Sequence, residues 1–164
     1  MKVLLFFASI FCLQTLNAAD SKPKVGQFLT LEGHKTIDGL HHEVHRRIAV
    51  EKYDKRMRQF TVSDITLSSN GNSVDQGYVQ SEGQLQNQYR NNAATVPFCG
   101  NLLGALENIE TQLGTILTCR FDRNAEEGDV QIWFSDFAPF GVVKKRISYK
   151  NGDDLEYEIT DYSW

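Results

Sequence analysis

Excess positive charge, long apolar runs and cysteine are all scarce in this 164-residue chain, and each scarcity closes a class of function. Lysine and arginine total 17 against 21 aspartates and glutamates, for a formal charge of −4. Nucleic-acid binding needs a basic face that replaces phosphate counterions, so no nucleic-acid partner is expected. The runs His45-Arg46-Arg47 and Lys144-Lys145-Arg146 do not supply one, because consecutive strand residues point to opposite faces. The apolar stretch Val3 to Leu13 is well short of the roughly 20 residues a membrane-crossing helix needs, and no second long apolar segment follows, so no transmembrane anchor is expected.

Catalytic strings are missing too. There is no Gly-x-Ser-x-Gly elbow, no Gly-x-x-x-x-Gly-Lys phosphate loop and no Gly-x-Gly-x-x-Gly. The HHEVH string at 41–45 lacks the zinc-protease pattern, since Arg46 stands where His-Glu-x-x-His needs its second histidine. On a strand His41 and His45 would lie about 13 Å apart, too far to share an ion. His34, across the Asp38-Gly39 turn, is the histidine able to approach one of them. The acidic pairs Glu126-Glu127 and Asp153-Asp154 adjoin glycines, as polar turn residues do. No catalytic residue, metal ligand or cofactor is implied, and an enzyme is the least favoured reading.

What is present begins with the N-terminus. MKVLLFFASIFCLQTLNAAD joins one lysine, an apolar core and small residues, the pattern of a secretory signal peptide spanning 1–18, with cleavage after Ala18 or Ala19. Phe11 directly before Cys12 disfavours lipid attachment there. Residues 19–164 then form a single domain, exported to the periplasm or beyond the cell, long enough for a substantial core.

Turn signals punctuate that domain. Asp38-Gly39, Asn70-Gly71 and Asn151-Gly152 are dipeptides that accept positive φ at both centres of a type I′ turn. They predict three hairpins: Gln27 to Lys35 with Leu40 to Glu51, Arg58 to Leu67 with Val74 to Gln80, and Lys144 to Lys150 with Leu155 to Asp161. Tyr53-Asp54-Lys55 is the expected turn between the second and third strands. Leu40, His42, Val44, Arg46, Ile48 and Val50 share one side of a strand, mostly apolar, while His41, Glu43, His45 and Arg47 make a wet side. Ile116 to Phe121 and Val130 to Phe134 have strand composition, and Glu107 to Gln112 suits a strand or a helical turn. Ser81 to Ala94 is predicted as a helix with Leu85 and Tyr89 on its apolar face. The fold class expected is mainly β: an antiparallel meander curved into a half-barrel, with one or two short helices.

In an oxidising compartment the two remaining cysteines, Cys99 and Cys119, are expected to form a structural disulfide. A zinc site and an exchangeable redox pair are the competing readings. Neither cysteine has a second Cys or a His within four residues, and the spacing is not Cys-x-x-Cys.

The C-terminal third carries a Trp-bearing strand, Ile132 to Phe134, then Pro139-Phe140-Gly141-Val142-Val143-Lys144, a corner shaped by a proline and a glycine, and a closing strand ending near Asp161-Tyr162. With Cys99-Gly100, the run Gly114 to Cys119, Val25-Gly26-Gln27-Phe28 and Tyr53-Asp54, this order resembles uncharacterised exported bacterial β-rich proteins. Those proteins are themselves similar to the periplasmic lipoprotein carriers with a LolA/LolB-like half-barrel. Thr111-Gln112-Leu113-Gly114 departs from the Val-Pro-Ala-Gly often found before the second cysteine of such proteins. The resemblance implies a fold and a compartment and brings no catalytic residues.

Two functions follow. A carrier or binding module would hold an apolar ligand, such as a lipid, on a concave sheet face under a helical lid, with Phe28, Phe60, Val62, Trp133, Phe134, Phe137 and Phe140 as candidate lining. The competing reading is that these side chains simply fill the core. An interaction module would instead meet an envelope protein or another cell-envelope partner through a sheet edge or an exposed apolar patch.

Overall fold

In the computed structural model, which describes residues 22–164, the first hairpin turns on Asp38-Gly39, where both residues take positive φ (51° and 77°). That type I′ geometry matches the right-handed twist of the strands it joins, β1 (Phe28–Ile37) and β2 (Leu40–Asp54). The other two dipeptides build a different turn. At Asn70-Gly71 and Asn151-Gly152 only the glycine takes positive φ (83° and 91°), and its N–H returns to the carbonyl of Ser68 or Tyr149. These are three-residue loops in which a tight turn feeds a left-handed glycine, so one of the three expected type I′ turns forms. The signal peptide predicted over 1–18, with Cys12, lies outside the described residues.

The strand after β3 (Gln59–Ser68) is broken where sequence suggested one piece: β4 (Ser73–Asp75) and β5 (Tyr78–Ser81) both pair with β3. Between them the Gly77 N–H bonds the Asp75 carboxylate rather than the ladder. The turn expected at Tyr53-Asp54-Lys55 falls slightly later. Tyr53 still pairs with Phe60, and Asp54 Oδ1 accepts the N–H groups of Arg56 and Met57 at 2.8 and 3.1 Å.

Ser81 caps α1 (Glu82–Thr95): its hydroxyl accepts from the Gln84 N–H while the Gln84 side chain accepts from the Ser81 N–H, and Leu85 and Tyr89 are buried as expected. A 3₁₀ turn, Cys99–Leu102, follows. Then come β6 (Ala105–Thr111), β7 (Gly114–Ala125), β8 (Gly128–Phe134), β9 (Val142–Tyr149) and β10 (Asp154–Ser163). The stretch at Glu107 to Gln112 is therefore strand.

All ten strands belong to one antiparallel sheet in the order β4-β3-β2-β1-β10-β9-β8-β7-β6, with β5 also on β3. It is two meanders joined by their outermost sequence elements, because the first strand pairs with the last. The sheet is open. Bulges at Thr30/Leu31, Val50/Lys52 and Trp133/Phe134 sharpen its curl, and β6 approaches β10 without pairing with it. α1 crosses from one meander to the other and seats Leu85 and Tyr89 on Leu29, Leu31, Val50, Phe60, Val62 and Ile159, the core of the concave side. At the corner, Phe140 (φ 64°) and Gly141 (φ 79°) are both left-handed. The aromatic ring of Phe140 is buried against Tyr89, and a Cβ on Gly141 would run into the Asn92 side chain of α1.

Candidate functional site

Residues directly opposite in an antiparallel ladder project to the same face, so the register writes out the concave surface row by row. One row runs Ile147, Leu155, Lys35, His42, and the next Lys145, Tyr157, Gly33, Val44, Ser68. A third runs Ile159, Leu31, Arg46, Thr66, Val74. α1 fills one end of this surface. The other end is an open groove of about 570 Å³, within the size range of small-molecule sites. Its apolar walls are Ile37, Val44, Val74 and Leu155, with the aromatic rings of Tyr149 and Tyr157.

The floor of the groove is polar and ordered. Arg46 Nε and Nη2 donate to the two Asp64 carboxylate oxygens at 2.8 and 2.7 Å, and Nη1 donates to the Tyr157 hydroxyl at 2.9 Å. Such a fork-to-fork pair is stronger than a single-contact ion pair. The Asp64 bond holds the Arg46 guanidinium charged, against the opposing effect of burial. Burial raises the pKa of Tyr157, and that of Tyr78, which also feels the Asp64 charge. Lys145, in register beside Tyr157 and outside the groove's lining, is opposite in kind: burial first, then the Arg46 charge, push its pKa below the usual lysine value.

None of the seven side chains named from sequence lines this groove. Phe60, Val62 and Phe140 are buried in the core beneath α1. Trp133, in register with Lys144, belongs to the same buried core cluster, donates its Nε1–H to Glu107, and has the Lys144 ammonium 5.7 Å from its ring centre. Phe134 packs edge-on against Phe121, Phe137 lies against Tyr162, and Phe28 lies under the Arg47 guanidinium at 4.0 Å. The residues that do form the groove, among them Arg46, Tyr149, Leu155 and Tyr157, carried a usable signal. Arg46 sits among apolar residues on the core-facing side of its strand, and a lone cation there implies a buried partner.

Outside, the carboxylates gather. A second hollow of about 370 Å³, on the other face of the sheet, is bordered by Glu32, Glu43, Glu156, Glu158, His34 and His45 and by Gln112 of the β6–β7 turn. His34 does approach His41, at 6.2 Å between ring centres. Among the described residues no group of three or more His, Cys, Asp or Glu side chains is arranged to hold a metal ion.

Cys99 and Cys119 are joined in a disulfide with Cα atoms 5.5 Å apart. The bond fastens the 3₁₀ turn after α1 to β7, and so fixes the far end of the helix crossing. No helix among the described residues is long and apolar enough to cross a membrane. No protein-family model matches this chain, and no curated protein matches its sequence.

Proposed function

We propose that this chain is an exported, non-catalytic carrier or binding module for an apolar ligand such as a lipid, built on the half-barrel plan of the periplasmic lipoprotein carriers. The observation that carries the reading is the open end of the concave face, where four aliphatic and two aromatic side chains, set among polar ones, line about 570 Å³ of unfilled groove beside a core that α1 has already sealed. A sheet that needed only to be stable would bury those walls. An internal disulfide suits an oxidising compartment. The test is direct: protein recovered from the exported fraction should carry extractable acyl lipid, and delipidated protein should enhance the emission of a neutral acyl-chain fluorophore in saturable fashion. Lipid-free protein that leaves the fluorophore unchanged would sink the proposal.

A second reading has its own support. β6 is an edge strand, and beside it Leu102, Leu103, Leu106 and Leu117 are each at least half exposed. An unpaired edge flanked by apolar side chains is a template for strand addition by a partner protein. Replacing Leu106 and Leu117 by lysine should abolish any co-migrating envelope partner while leaving fluorophore binding intact; loss of fluorophore binding in that variant would assign the strip to the ligand instead.

A further inference from the structure

The two faces of the central strands differ in net charge. On β1, β2, β9 and β10 the carboxylates Glu32, Glu43, Asp154, Glu156 and Glu158 stand in the rows alternate to Lys35, Arg46 and Lys145, and therefore on the other face, where Arg47, Lys144 and Arg146 accompany them and Lys144 and Arg146 pair with Glu156. The concave rows of these strands and β3 hold Lys35, His42, Arg46 and Lys145 against one carboxylate, Asp64. An acidic protein thus presents a net positive concavity. Asp64 is committed to Arg46 in both oxygens. Lys145 is not itself among the residues lining the groove but stands in register beside Tyr157, which is, and it makes no ion pair and no side-chain hydrogen bond among the described residues. Arg46 itself uses three N–H groups on Asp64 and Tyr157, which leaves two of the five on a guanidinium unspent.

We propose that the groove binds a single-chain amphiphile with a carboxylate head, a free fatty acid, whose head is held by Lys145 and the spare N–H groups of Arg46 while its chain lies along Val44, Val74, Leu155 and Ile37. This rests on the carrier reading above and names its ligand class. An isolated, partly desolvated ammonium is costly, and an incoming anion removes that cost while adding charge-assisted hydrogen bonds. The groove's volume suits one chain rather than the two of a phospholipid. The apolar walls alone would not distinguish an acid from a neutral ester, so the head decides the specificity.

The experiment is displacement of cis-parinaric acid, a fluorescent fatty acid, from delipidated wild-type protein by palmitate, glycerol monopalmitate and dioleoyl phosphatidylglycerol. Palmitate is expected to bind about tenfold or more tighter than the neutral ester, the size of one charge-assisted hydrogen bond. Lys145→Met should erase most of that preference, Lys145→Arg should restore it, and the ester's affinity should be unchanged in both. Equal affinity for acid and ester in the wild type overturns this inference while leaving the carrier standing. Displacement by phosphatidylglycerol with palmitate inert also overturns it, in favour of a two-chain lipid. Failure of every chain to bind removes the carrier reading as well. Because the acid-against-ester comparison uses the wild-type protein, the test does not depend on a variant's folding; an unaltered preference in Lys145→Met would remove that residue from the contact and refute its assignment.

Discussion

Gly104 offers a measurement that isolates the disulfide from the rest of the fold. A Cβ built on it would overlap Cys119 Sγ, lie 2.8 Å from Cys99 Sγ, and come within 3.1 Å of the Arg120 carbonyl. The backbone of Gly104 is not in the left-handed region, so alanine there is strained by its neighbours and not by its own dihedrals. Overpacking of this kind costs about 1–3 kcal/mol, and the upper half of that range applies because a sulfur bridge cannot swing aside as a free side chain does. The bridge itself closes a loop with a sequence separation of 20, for which the chain-entropy relation gives about 3 kcal/mol. Four proteins complete the cycle: wild type, Gly104→Ala, Cys99→Ala/Cys119→Ala, and the triple variant. In non-reducing thermal melts the double cysteine variant should lose roughly 10 °C, taking about 3–4 °C per kcal/mol for a domain of this size. Gly104→Ala should cost about 2 kcal/mol in the wild type. In the sulfur-free background it should be neutral, or stabilising by about 0.5 kcal/mol as the unfolded chain loses freedom. The coupling is the difference between those two numbers. A Gly104→Ala cost that is the same in both backgrounds would show that the sulfurs are not what excludes a side chain at 104, and the packing argument would fail.

Three further outcomes are expected. Arg46→Leu strands the Asp64 carboxylate, whose side chain is 13% exposed, and should destabilise the protein by about 3–5 kcal/mol in urea, while Arg46→Leu/Asp64→Leu should recover most of that loss. Recovery that does not occur would mean that the pair is indispensable for more than its own charge balance. Burial raises the pKa of the phenols of Tyr78, Tyr89, Tyr149 and Tyr157. A raised native pKa stabilises fully below the unfolded value of about 10 and is lost as pH climbs above it, so phenolate absorbance should rise late and together with loss of circular dichroism; early titration of all phenols in folded protein would contradict the burial. Gly33→Ala places a Cβ onto the Glu156 carbonyl across the β1–β10 ladder and should cost about 3 kcal/mol or more by equilibrium denaturation; a loss under about 1 kcal/mol would show that the ladder yields there.

The parts of this structure that were legible in sequence are those encoded locally. Ser81 and Gln84 write their own helix start, and Asp38-Gly39 admits one turn with little competition. The three-residue loops at Asn70-Gly71 and Asn151-Gly152 were not separable from type I′ turns, because both use Asn-Gly and differ in which flanking residue closes the ladder. The pairing of β1 with β10 left no trace at all, since nothing near Phe28 refers to Ser163. The candidate site suffered from the same gap. Large aromatic side chains were the natural guess for a ligand wall, yet Phe60, Phe140 and Trp133 are the residues that a core consumes first. The groove fell to residues whose faces are set by register across six strands. Arg46 was the one visible clue, and its meaning depended on Asp64 and Tyr157, which are remote in the chain.

That remoteness bears on how the groove is held open. Among the described residues the two meanders pair within the sheet along β1 and β10, and α1 with the disulfide-tied turn at its end also joins them. Arg46 on β2 reaching Tyr157 on β10 lies across the first of these joints, so the floor of the groove is itself part of what joins the halves. Hydrophobic packing under α1 would by itself favour further closure, because it gains from every apolar wall it covers. Lys35 opposes this, because drawing the walls together would desolvate its ammonium while the one carboxylate of the groove, Asp64, is already committed to Arg46. The charge proposed above to select an anion would, by the same reasoning, resist closure of the empty groove.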